Sequence, residues 1–100
     1  MAFTIKFNEE KNQLLKTTRG ISFEDAQDVI EKGYLLADIV HPSKKHSHQQ
    51  MYVVQIKRYI YAVPYIINAK KREIFLKTVY PSRVLTKRYM KGGKNEETNK

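Results

Sequence analysis

The chain reads as an α+β domain, a small antiparallel sheet of three to four strands with N-terminal helices and a C-terminal helix. Three observations say so. Apolar residues recur at helical spacing up to about residue 32. From residue 34 to 80 they give way to short runs rich in β-branched and aromatic residues. After Pro81-Ser82, helical spacing returns. The helices are expected on one face of the sheet. A chain of 100 residues supports one core and one domain. The domain is expected over residues 1–91 and a disordered polar tail over 92–100, because Gly92-Gly93-Lys94-Asn95-Glu96-Glu97-Thr98-Asn99-Lys100 holds no apolar anchor.

Residues 4–7 form a first short strand. Asn8 is a helix N-cap, with Glu9 and Glu10 in the first turn where the helix dipole favours acids. Leu14 and Leu15 supply the buried side of this helix, and Gly20 ends it. Ser22 caps a second helix over 23–32, with Asp25 completing a capping box. Phe23, Ala26, Val29 and Ile30 share its inner face, and Gly33 takes the left-handed position that follows. Strands are expected over 34–40, 51–56, 59–67 and 74–80. Lys57-Arg58 is poor chemistry for a two-residue hairpin, so a longer turn is expected there. Pro64 cannot donate to a ladder and implies an edge position or a bulge. Asn68-Ala69-Lys70-Lys71 is a turn. Pro81-Ser82 opens the terminal helix, with Val84, Leu85 and Tyr89 facing the core.

Charge is segregated along this plan. Residues 41–100 carry 14 Lys/Arg and 3 Glu, whereas residues 1–40 carry 5 Lys/Arg and 7 Asp/Glu. The net charge of +9 thus belongs to the second half, and a field of that kind attracts polyanions, nucleic acid foremost. Six of the seven tyrosines fall from Tyr52 onward. Aromatics among cations suit stacking on unpaired bases. The absence of cysteine excludes disulfides, thiolate metal sites and cysteine nucleophiles. MAFTIKFNEEK lacks a signal-peptide core and no run approaches a membrane span, so a cytoplasmic location without membrane contact is expected.

RNA can be cut without metal when its own 2′-OH attacks the adjacent phosphate. The protein must then place charge on the phosphate and manage two protons. Lys77, in an apolar strand and sharing a face with Phe75 and Val79 by alternation, is one candidate. Tyr80 and Arg83, in Tyr80-Pro81-Ser82-Arg83, are the next, as proton donor or base platform and as phosphate ligand near a helix N-terminus. The structural alternative is a core-capping tyrosine and a solvated arginine. His48, with His41 and His46 in one polar loop, is the candidate for proton transfer. A plain surface loop, or a zinc site lacking an evident fourth ligand, are its alternatives. Lys57, Arg58, Lys87 and Arg88 are candidate RNA contacts, or else solvated tips and helix faces. Tyr59, Tyr61 and Tyr65 share one strand face, and most of them are expected in the core with wet hydroxyls. No metal or other cofactor is expected, since Glu73 is the sole carboxylate in the structured basic part.

The segment Phe7-Asn8-Glu9-Glu10-Lys11-Asn12, followed by Gly20-Ile21-Ser22-Phe23-Glu24-Asp25-Ala26, resembles the opening of the BrnT family of small bacterial toxins. There an aromatic-Asp, Lys, Asn run leads to His-Gly-Ile/Val-Ser-Phe-Glu-Glu-Ala. His46-Ser47, Tyr52-Val53-Val54 and Ala62-Val63-Pro64-Tyr65 follow in compatible order, so the likeness spans roughly residues 5–89. The chain departs from that pattern at Phe7-Asn8, at Thr18-Arg19 before the glycine, and at Thr78-Val79-Tyr80 in place of Ser-Ala-Arg. The resemblance implies a RelE-like fold and a ribonuclease of a type II toxin–antitoxin pair that acts on mRNA and arrests translation. It also implies a small DNA-binding antitoxin as protein partner, in a hetero-oligomer. Arg19, standing where the family has His, becomes a further RNA-contact candidate. The alternative is a non-catalytic RNA- or DNA-binding module, because phosphate affinity is common to both.

Overall fold

A computed structural model describes residues 3–40 and 49–98. Its elements run β1 (Thr4–Phe7), α1 (Glu9–Arg19), α2 (Phe23–Glu31), β2 (Ala37–Val40), β3 (Gln50–Ile56), β4 (Tyr59–Asn68), β5 (Glu73–Leu76), β6 (Tyr80–Pro81) and α3 (Arg83–Thr98). The α+β class is as expected, but the sheet is larger than the sequence suggested. It has six strands in the order β1-β5-β4-β3-β2, with β6 paired to β4. It is also mixed, because β1 runs parallel to β5. That pairing joins segments about seventy residues apart, and no local pattern encodes it.

The helix boundaries follow local chemistry. The Asn8 side chain accepts from Lys11 N at 2.8 Å, and Gly20 closes α1 at φ 69° while its N–H donates to Lys16 O. Only glycine adopts that φ without a Cβ clash. At α2, Asp25 N donates to Ser22 Oγ and Ser22 N donates to Asp25 Oδ2, closing the capping box. Ser82 caps α3 by accepting from Leu85 N at 3.1 Å. That helix continues to Thr98, past the glycine pair where the sequence suggested an end. Glycine weakens a helix interior by about 1 kcal/mol and does not forbid it.

The helices occupy both faces of the sheet, not one. Alternation sends Tyr52, Val54 and Ile56 of β3, with Val63 and Tyr65 of β4, toward Leu15, Ile21, Phe23 and Ala26 of the α1–α2 side. Met51, Val53, Ile60 and Ala62 face the other way, onto Leu85, Tyr89 and Met90 of α3. Phe7 stacks on Phe23 with ring centroids 4.9 Å apart. Tyr52 stacks on Tyr65, whose hydroxyl donates to the Asp38 carboxylate at 2.7 Å. Two assigned core positions move outward: Leu14 is 59% exposed and Val84 66%. The place expected for Leu14 belongs to Asn12, which is fully buried. Its amide donates to Glu24 Oε1 at 2.8 Å and its carbonyl accepts from Phe23 N at 2.7 Å, tying α1 to the start of α2.

The β3–β4 turn is two residues after all, since Ile56 pairs with Tyr59. Lys57 takes φ 60° to make it. Its ammonium donates to Gly20 O at 3.0 Å, anchoring the turn against the end of α1.

Candidate functional site

The expected last strand is broken in two, and the break makes the site. Tyr65 pairs with Leu76, whereas Ala62 pairs with Tyr80. Val63 and Pro64 on β4 therefore oppose Lys77, Thr78 and Val79, one residue too many for a regular ladder. This is a bulge. Pro64 supplies its physical reason. Its carbonyl accepts from Lys77 N at 2.8 Å, and within a strand a residue's N and C=O point to the same edge. The missing N–H of Pro64 thus faces the break, where a regular ladder would have required it. The bulge also corrects the alternation inferred for this segment. Phe75 and Lys77 are exposed, but Val79 is fully buried with Leu76.

Beside the bulge lies a cavity of about 700 Å³. Pro64, Phe75, Lys77, Thr78 and Tyr80 come from the sheet side, with Gln49 before β3. The other wall is the beginning of α1, from Asn8, Glu10, Lys11 and Leu14. The exposure of Leu14 is explained here, because its side chain lines the cavity and leaves the core to Leu15. Among the described residues, the cavity combines an apolar, partly aromatic surface with two ammonium groups, one carboxylate and several amide or hydroxyl groups. That mixture is typical of ligand-binding concavities.

A smaller cavity of about 250 Å³ lies between the sheet and α3, lined by Ile39, Met51, Ser82, Val84, Leu85 and Arg88, with Tyr80 again. Tyr80 stands between the two. Its hydroxyl donates weakly to Met51 Sδ at 3.5 Å, and burial pushes its pKa above the ordinary phenol value. It stays protonated at neutral pH, which suits a hydrogen-bond or proton donor and not a base. A thioether is a poor acceptor, so a phosphate oxygen would compete for this hydroxyl with ease.

The sequence candidates do not share one cleft. Lys77 and Tyr80 line the larger cavity together. Arg83, first in α3, is exposed and lines neither cavity. Arg88 lines the smaller one, while Lys87 is exposed on the same helix. Lys57 and Arg58 sit at the hairpin tip, by the far end of α1. Arg19 donates to Val79 O at 2.7 Å and so holds the bulge in place. His48, with His41 and His46, lies outside the described residues. Asn8, Glu10, Lys11 and Phe75 are site residues the sequence did not single out. Phe75 was readable, since alternation already put it beside Lys77. The α1 residues were not, because their approach depends on the parallel β1–β5 pairing.

Among the described residues, no group of three or more His, Cys, Asp or Glu is placed to hold a metal ion, and no helix is long and apolar enough to cross a membrane. No protein-family model, curated protein or solved structure matches the chain.

Proposed function

We propose that this protein is a metal-independent endoribonuclease acting on mRNA as the toxin of a type II toxin–antitoxin pair, with its reaction centre in the cavity beside the β5–β6 bulge. The observation that carries this reading is the meeting of Lys77, Tyr80, Lys11 and Glu10 around one concavity. The motif resemblance in residues 7–26 and the net charge of +9 support it.

Each residue has a role that its chemistry allows. The ammonium groups of Lys11 and Lys77 offset charge that builds on the phosphate as the 2′-oxygen attacks. Glu10 is the carboxylate among the described lining residues of the cavity, and it accepts the 2′-OH proton. The bond from phosphorus to the 5′-oxygen breaks as the new P–O bond forms, and Tyr80 donates its proton to that leaving oxygen. The products are a 2′,3′-cyclic phosphate and a 5′-hydroxyl. Arg83 and Arg88, near the start of α3, extend the positive surface along the strand's path.

Expression in a bacterial host is expected to arrest growth. Lys77→Ala and Tyr80→Phe are expected to relieve the arrest while the protein accumulates to the wild-type level. Undiminished toxicity in both variants would remove the cavity from the mechanism. A second reading, a non-catalytic RNA-binding module, is favoured by the absence of Arg83 from the described lining of the cavity and by the turn of the Tyr80 hydroxyl toward Met51. On that reading RNA is bound and recovered intact.

A further inference from the structure

The sheet face that carries α3 is only partly covered. Over β3 and the first half of β4, Leu85, Tyr89 and Met90 close it. Beyond Pro64, no described residue closes it. There Lys6, Phe75 and Ile66 stand side by side across β1, β5 and β4, in direct register. Residues in register share a face. Phe75 is 41% exposed and Ile66 51%. Lys77 follows two residues after Phe75 and lines the cavity with it, and Lys11 lines the opposite wall.

An aromatic ring left open on a sheet, with Lys6 in register beside it and Lys11 and Lys77 lining the same cavity, fits one ligand better than any other: a nucleotide with an unpaired base. The base has a flat apolar face for Phe75, and the phosphates on either side of it have charge for the lysines. Two carboxylates belong to the same neighbourhood, Glu10 in the cavity wall and Glu73 two residues before Phe75. They leave lysine in excess, and a carboxylate can accept from the exocyclic amine of cytosine. A base inside a duplex has no free face to offer, so stacking on Phe75 selects single strands.

We propose that Phe75, flanked by Lys6, Lys11 and Lys77, is a base-stacking subsite that holds one unpaired nucleotide of single-stranded RNA beside the bulge. The proposal rests on the RNA-directed reading above and adds to it the strandedness of the substrate and the residue that reads it. Stacking tolerates any base, so the subsite makes the protein selective for single strands with little sequence preference of its own.

The test uses a short fluorescein-labelled 2′-O-methyl RNA, which cannot be cut, so binding is read apart from cleavage. Wild-type protein is expected to bind it by fluorescence anisotropy. Phe75→Ala is expected to weaken binding by about tenfold or more, the loss of one base–aromatic stack. Phe75→Trp should bind at least as tightly as wild type, and binding to the matching duplex should not respond to either variant. Lys6→Ala should lower the slope of log affinity against log salt by about 0.7, one phosphate contact on a single strand. If Phe75→Ala binds the single strand as wild type does, the subsite is wrong while the RNA-directed reading stands. Equal losses for Phe75→Ala and Phe75→Trp, or for duplex and single strand, would also overturn it, because Phe75 would then act on structure alone. A wild-type dimer that Phe75→Ala dissociates would assign the patch to self-association instead. Failure of the wild-type protein to bind any nucleic acid would remove subsite and RNA reading together.

Discussion

Asn12 shows how one polar residue can replace an apolar one in a core. It is fully buried, yet both ends of its amide are satisfied, by Phe23 N and by Glu24. Asn12→Ala strands the Phe23 N–H and is expected to cost about 1–3 kcal/mol by urea unfolding. The hydrogen bond from Asn12 is also the main reason the Glu24 carboxyl titrates below its ordinary value. In the same variant Glu24 should therefore titrate higher, as NMR would report. Three phenols are shifted the other way. Burial raises Tyr52 and Tyr80, and burial with the Asp38 carboxylate raises Tyr65. A raised folded-state pKa means that the native state holds the proton more tightly. The stabilisation is complete below the ordinary tyrosine value of about 10 and is lost as pH rises above it. Urea midpoints are thus expected to fall above about pH 10, and Tyr65→Phe should make that fall shallower.

Local chemistry was readable where a helix begins or ends. Asn8, Gly20, Ser22 with Asp25, and Gly33 each mark the boundary observed, because a cap involves only residues three or four apart. The residues behind the family resemblance are largely of this kind. Asn8, Asn12, Gly20, Ser22, Phe23 and Asp25 build caps, turns and core, so the likeness speaks to scaffold more than to chemistry. Hairpin and ladder were harder to read. Lysine is a poor residue for a tight turn, and the φ of 60° at Lys57 carries strain of about 1 kcal/mol. The Lys57–Gly20 hydrogen bond and the paired strands impose that strain. Lys57→Gly is expected to raise the melting temperature, because glycine meets no Cβ clash there. Pro64 signalled the bulge, but not that the extra residue would lie in the partner strand. That placement depends on which strand pairs with β4, and the sequence does not state it.

The whole molecule is a sheet with a helix pair on one face and a single helix on the other. Single-face packing was expected because periodicity shows that a helix has an apolar side without showing which side of the sheet receives it. Strands buried on both faces hold the difference: β3 and β4 carry continuous buried runs from Met51 to Val54 and from Ala62 to Tyr65, the signature of a covered sheet. Charge segregation along the chain was readable, but not its placement: the fold brings Lys11 and Lys77 to one cavity and leaves the other candidate cations outside it. Lysines and arginines are spread over the hairpin tip, the bulge and α3, so RNA affinity is expected to be strongly salt-dependent and to draw on several of these regions. Chemistry is expected at the bulge alone. The most direct test is end-labelled single-stranded RNA incubated with the purified protein in EDTA, with the new ends identified. The expected result is 2′,3′-cyclic phosphate ends at the same rate with or without EDTA, and a severe loss in Lys77→Ala and Tyr80→Phe. RNA recovered intact from the wild-type protein, or cleavage abolished by EDTA, would contradict it.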